Sequence, residues 1–229
     1  PENAETLSDS IFGRNIKVNT ASNPIDEISN YDIAIFGVPE DRNSLDKGVS
    51  LAPNQIRAQL YQLYRINDKP KIIDLGNLKE GNTFNDTYFG LRDVLSELLN
   101  NQVVSVIIGG TQDLTYATYL AFENNKHNIN LVTVDSVIDF NESKFDSQSY
   151  LSKIIINNAR LFKYINIAHQ QYLNDQNTIK LLDSFFFDSI RLGLVRADTS
   201  IVEPVLRDAD ILSFDIGAIK QSDAPANQY

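Results

Sequence analysis

The sequence predicts an α/β protein, a mainly parallel sheet between two layers of helices. Three observations carry this. Short apolar runs rich in Val and Ile recur along the 229 residues, and most lack the strict alternation of strands with one wet face. Stretches with helical spacing separate these runs, which points to βαβ units. Several runs end in acidic or glycine-rich segments, where an open parallel sheet presents its ligand-binding carboxyl edge.

Taken in order, residues 1–30 are polar and are expected to form an extended or partly ordered lead-in, followed by a single domain over 31–229. The first strand is expected at Asp32–Gly37. A helix over Pro53–Leu63 places Ile56, Leu60 and Leu63 on one face, with Pro53 at a helix start where its missing N–H does no harm. Further strands are expected at Lys71–Leu75, Val103–Ile108, Ile129–Asp135, Tyr164–Ala168, Ser189–Val195 and Asp210–Ile216. Between them, Asp86–Asn101 repeats the helical signal with Leu91, Val94, Leu95 and Leu98. Leu114–Asn124 and Thr178–Phe186 are further helices, and Val202–Arg207 is one short turn.

Composition narrows the function. A net charge of −10 leaves no basic stripe for nucleic acid and disfavours an anionic membrane surface. No apolar stretch approaches the roughly 20 residues that span a bilayer. The start, Pro1-Glu2-Asn3-Ala4-Glu5, is acidic and no signal peptide, so a cytoplasmic protein is expected. With no cysteine, disulfides and thiolate metal sites are excluded. Methionine is also absent, which reads as a compositional bias or as residues missing from the chain.

Several chemistries lack their motifs: no phosphate-binding loop, no Gly-x-Gly-x-x-Gly and no Gly-x-Ser-x-Gly elbow occurs. The two histidines, His127 and His169, form no ligand pair. His127 reads as part of a solvated turn, and His169, closing a strand, as a structural hydrogen-bonding residue. Asn141–Tyr150 leaves the binding edge as a polar segment, either a functional loop or a plain connection.

Three segments stand out: Gly109-Gly110-Thr111-Gln112-Asp113, Asp135-Ser136-Val137-Ile138-Asp139 and Ser213-Phe214-Asp215-Ile216-Gly217. A single aspartate at a strand end is more often a helix cap than a ligand. As a set, converging Asp135, Asp139 and Asp215 would repel one another unless a cation neutralised them. Oxygen donors of this kind suit Mn²⁺, Mg²⁺ or Ca²⁺.

These segments resemble those of the ureohydrolase family (arginase, agmatinase, formimidoylglutamase), and the resemblance covers nearly the whole chain. Gly37-Val38-Pro39-Glu40-Asp41, with Gly48, Pro53, Ile56 and Arg57, is similar to the family's first signature. Ile73-Asp74-Leu75-Gly76-Asn77 is similar to its second strand ending. Gly109-Gly110-Thr111-Gln112 stands for Gly-Gly-Asp-His, Asp135–Asp139 for Asp-Ala-His-x-Asp, and Ser213–Gly217 for Ser-x-Asp-x-Asp. Ser222-Asp223-Ala224-Pro225 resembles the continuation, and Glu203–Asp210 is similar to the formimidoylglutamase-like branch.

The resemblance implies an arginase-like three-layer fold and hydrolysis of linear, non-peptide C–N bonds in guanidino or formimino acids by a pair of Mn²⁺ ions. It also implies a homotrimer or hexamer. Carried over by position, Gln112, Asp135, Asp139 and Asp215 keep oxygen donors for one ion. Val137 and Gly217 stand where the second ion's own ligands would be, and the family's downstream histidine is absent from Phe140–Tyr150. Members continue beyond the point matching Tyr229, so the chain is expected to be incomplete at its carboxyl end. Two readings follow. One is a hydrolase using one ion, Mn²⁺ (or Mg²⁺ or Ca²⁺), or an unusual pair. The other is a non-catalytic member with a binding, regulatory or assembly role, with or without metal.

Overall fold

A computed structural model describes residues 10–25, 27–44, 47–65, 69–123, 128–141, 149–156 and 160–225. His127 and most of the Asn141–Tyr150 segment therefore lie outside the described residues. The chain divides into two compact units, Pro1–Thr111 and Gln112–Tyr229. Among the described residues no helix is long and apolar enough to cross a membrane.

The first unit contains α1 (Phe12–Asn15), β1 (Lys17–Val18), β2 (Ile33–Gly37), α2 (Ala52–Leu60), β3 (Ile72–Asn77), α3 (Phe84–Asn100) and β4 (Val104–Ile108). Its four strands are parallel, in the order β1-β3-β2-β4. The lead-in thus contributes a strand, with Lys17 and Val18 paired to Ile73 and Asp74. Ile16, Ile35 and Ile108 form a core with Phe12, Val18, Leu60 and Tyr61 packed on it. The long helix α3 buries Tyr88, Leu91, Leu95 and Leu98, so the expected apolar face is the packed one. It starts at a capping box, in which Thr83 accepts from the Asp86 N–H and Asp86 accepts from the Thr83 N–H.

Helix α2 forms where expected, but its inward face differs. Ile56 and Leu63 are 47% and 59% exposed, whereas Pro53 is buried. The reason is polar. Arg57 and Tyr61, one turn apart, both reach the fully buried Asp74 of β3, at 2.6 and 2.7 Å. This turns the Pro53, Arg57, Leu60 and Tyr61 face inward. Pro53 rests on glycine: a Cβ at Gly109 would lie 2.7 Å from its Cδ. Gly109 also has φ +69°, so a side chain is excluded there twice over.

The second unit contains α4 (Leu114–Glu123), β5 (Ile129–Val134), α5 (Tyr150–Ile156), β6 (Leu161–His169), α6 (Gln176–Ser184), β7 (Asp188–Arg191), α7 (Leu192–Ala197), α8 (Glu203–Arg207) and β8 (Ile211–Phe214). Its strands are again all parallel, ordered β7-β6-β5-β8. Both faces of this sheet are covered. Ile129 and Leu131 of β5 join Tyr119, Tyr150, Leu151, Ile154 and Leu182 in one core. Val132 joins Ile165 and Ile167 in a second core, against Leu192, Val195, Val202 and Val205. Alternate residues of one strand therefore serve opposite layers, which is why these runs are continuously apolar.

One expected strand is cut short. Ser189–Val195 divides into β7, ending at Arg191, and helix α7. Leu192 and Val195 are three apart and pack together on the second core, so the apolar run has a helical purpose. Helix α5 lies outside the helices expected from the sequence and buries Tyr150, Leu151 and Ile154.

Candidate functional site

The strand-end segments lie where the sequence places them. Gly109 follows β4, Asp135 follows β5 and Asp215 follows β8. β5 and β8 are neighbours, with Val134 opposite Phe214, so Asp135 and Asp215 leave adjacent strands at the same level. The two turns are built alike. The Asp135 Oδ1 accepts from the Val137 N–H at 2.9 Å, and the Asp215 Oδ1 accepts from the Gly217 N–H at 2.5 Å. In each turn, the residue two places on supplies its backbone dipole to the carboxylate.

The pair is electrostatically uncomfortable. Asp135 is 5% exposed, and burial, then the charge of Asp215, pushes its pKa up to about 7. The N–H groups of Val137 and Ser136 and the Gln112 side chain pull in the other direction. The Gln112 Nε2 is buried and completes no hydrogen bond of normal geometry, so its effect on Asp135 is that of a nearby dipole. The Ser136 Oγ is likewise buried without a hydrogen-bond partner.

Asp139 is 7% exposed. The phenol of Tyr150 is fully enclosed, and burial, Asp139 and Asp135 all push its pKa up, while a hydrogen bond with Ser213 works the other way. Ser213 shares a 2.7 Å hydrogen bond with Thr115. The floor of this region is polar too. Thr133 and Tyr164 hydroxyls lie 2.9 Å apart, and Asn166 donates to Thr133 at 3.1 Å. The signal for these residues was present in the sequence. Asp135 just past β5 is two residues from Thr133, and Tyr164 and Asn166 on β6 are two apart, so the β6 pair shares a face.

The structure sets Asp135 beside Asp215 and Gln112, and the charges of both Asp139 and Asp135 act on the buried Tyr150 phenol. Among the described residues, no three His, Asp or Glu side chains form a group that could hold a metal ion. The chemistry of the coupled pair nevertheless fits a cation, since two close carboxylates that resist joint ionisation are what a divalent ion relieves. Val137 and Gly217 contribute backbone N–H groups to the two turns and carry no side-chain donor. His169 is 3% exposed at the end of β6. Burial, then the charge of Arg191, lowers its pKa and keeps the ring neutral, although a bond with the Ile190 backbone raises it slightly. Its Nδ1 has no hydrogen-bond partner.

Comparison with known proteins extends these observations. The family model described as Arginase family matches residues 31–227. No curated protein matches the sequence. Among solved structures, the chain is similar to Trypanosoma cruzi formiminoglutamase with Mn²⁺, at 18% identity and a TM-score of 0.77 over 88% of this chain and 75% of that one. It is similar to formimidoylglutamase from Bacillus subtilis at 17% identity and a TM-score of 0.79, covering 96% and 74% of the two chains. Agmatine ureohydrolase of Thermoplasma volcanium matches at 17% identity and a TM-score of 0.72, covering 98% and 77%. These likenesses establish the fold class, an arginase-like three-layer α/β/α architecture with parallel strands. With the family model spanning nearly all of the sequence, the chain belongs to the Arginase family.

Proposed function

We propose that this protein holds one divalent cation, Mn²⁺ by preference, between Asp135 and Asp215, with Gln112 and Asp139 completing an oxygen-rich shell. On this reading it has lost the two-ion ureohydrolase reaction and serves as a binding or regulatory member of its family. The observation that carries the reading is the matched pair of turns. Val137 and Gly217 return backbone N–H groups to the carboxylates and have no side-chain donor of their own. A pair of divalent ions would supply Lewis acidity that makes water a stronger nucleophile, and one ion among the carboxylates of Asp135, Asp139 and Asp215 would supply less of it. Around the pair, Asp135 and Asp139 are buried, and Thr115 and Ser213 share a hydrogen bond. Such a site suits a small donor-rich ligand of the guanidino or formimino acid class.

A second reading is favoured by the retained Asp135–Asp215 pair: hydrolysis of a formimino acid with one ion. Measuring Mn²⁺ bound per chain, together with urea and formamide release from a panel of guanidino and formimino acids, separates the two. One ion without turnover is expected; two-ion loading with turnover would sink the non-catalytic reading. Val137→His combined with Gly217→Asp is expected to add a second ion, and failure to do so counts against the positional correspondence.

A further inference from the structure

Asn174 reaches the Asp135–Asp139 turn from outside it. Within the turn, Asp135 takes the Val137 N–H, and the Phe140 N–H bonds to the Ile138 carbonyl at 2.7 Å. At the far end the Leu151 N–H reaches the Asp139 carbonyl at 3.2 Å. Asn174 bonds both to the Ile138 N–H and to the Ser136 carbonyl. Its Oδ1 accepts from the Ile138 N–H at 2.7 Å, and its Nδ2 donates to the Ser136 carbonyl at 3.0 Å. The same Nδ2 donates to the Gln170 carbonyl at 2.8 Å, while the Gln170 N–H donates to Ser136 O at 2.9 Å. The amide has one orientation only, because reversing it would set Nδ2 against an N–H and Oδ1 against two carbonyls. The next residue, Asp175, caps α6 by accepting from the Asn177 N–H at 3.0 Å, so the clamp is mounted on a helix start.

From this geometry we infer that Asn174 is a positioning residue: it fixes the Ser136–Ile138 backbone and thereby the spacing and aim of Asp135 and Asp139. The inference rests on the reading of these aspartates as ligands of one cation. A side chain that touches no ion but orients the residues that do is worth roughly 10–100-fold in metal affinity. A purely structural asparagine in a turn would change stability and leave affinity alone.

The test uses the full chain and Mn²⁺ alone. Free Mn²⁺ is followed by electron paramagnetic resonance for the wild type, Asn174→Ala, Asn174→Asp and Ile167→Val. The last variant loosens the core on the opposite face of the sheet and controls for lost stability. Asn174→Ala is expected to weaken Mn²⁺ binding about 10–100-fold. Asn174→Asp, which keeps an acceptor for the Ile138 N–H but loses both donated bonds, should fall between it and the wild type. Ile167→Val should melt earlier with unchanged affinity. Equal affinity of Asn174→Ala and wild type overturns the inference. If the wild type binds no Mn²⁺, the metal reading fails, and amide hydrogen exchange judges the clamp by itself. Loss of protection confined to Val137 and Ile138 in Asn174→Ala supports it, and unchanged protection refutes it.

Discussion

Buried carboxylates occur in both units, and they are treated in opposite ways. In the first unit each is answered by a guanidinium. Glu40, 1% exposed, receives Arg42 on both oxygens, and Arg42 extends the link to the carbonyls of Gly81, Asn82 and Thr83 and to Thr87. Burial pushes the Glu40 pKa up, but the bonds and charge of Arg42 more than reverse this and hold it below the ordinary value. Asp74 accepts from the Arg57 guanidinium at 2.6 Å and from the Tyr61 hydroxyl at 2.7 Å. In the second unit Asp135 has another carboxylate for a neighbour, and only dipoles favour its charge. The difference separates structural acids from candidate ligands. An acid already paired by the fold holds loops together, whereas an acid pair left to dipoles has electrostatic energy to release when a cation arrives.

The contrast can be broken most forcefully at Arg57. Replacing it with alanine leaves Asp74 enclosed without its counter-charge, and a loss of about 3–5 kcal/mol is expected, read from urea denaturation. A loss within the range of an ordinary surface substitution would mean that the first unit's acids are not held as described.

The second unit should respond with the opposite sign. Asp135→Asn removes a buried charge and its repulsion with Asp215, so the metal-free protein is expected to gain roughly 2–4 kcal/mol above pH 7 while Mn²⁺ binding is lost. The wild type carries the corresponding pH dependence. Because the folded pKa of Asp135 is raised to about 7 from an ordinary 3.8, the native state holds a proton that the unfolded chain releases earlier. This contribution is complete below the unfolded pKa, declines as pH rises, and is gone above about 7. Melting curves of metal-free wild type and Asp135→Asn between these limits should diverge as pH rises. Parallel curves would show that burial and Asp215 do not raise the Asp135 pKa.

The smallest effect sharpens the scale. Thr83→Ala removes the hydroxyl half of the capping box of α3 and should lower stability by about 1 kcal/mol without altering Mn²⁺ affinity. That result would show that a local defect in the first unit does not by itself reach the acidic pair.

Much of this was legible in residues alone. Leu91, Leu95 and Leu98 mark the buried face of α3, and the β-branched runs locate the parallel strands. The order of Gln112, Asp135, Asp139 and Asp215 carried the family resemblance, which the match over residues 31–227 bears out. The orientation of α2 was not legible, because the apolar count favoured Ile56 and Leu63 and gave no hint that Arg57 and Tyr61 would follow Asp74 inward. Nor was the end of β7, since the spacing of Leu192 and Val195 suits a strand or a helix until a partner surface is known.

What the sequence determined by itself is therefore periodic and local: strand and helix periods, the family's strand-end motifs, and the absence of side-chain donors at Val137 and Gly217. Only the tertiary structure decided which acids are neutralised. Arg57 is 17 positions from Asp74, Asn174 is 36 from Ile138, and Asp215 meets Asp135 across adjacent strands. Coulomb interactions and hydrogen bonds depend on distance in space, and no local pattern encodes which distant partner a buried charge will find.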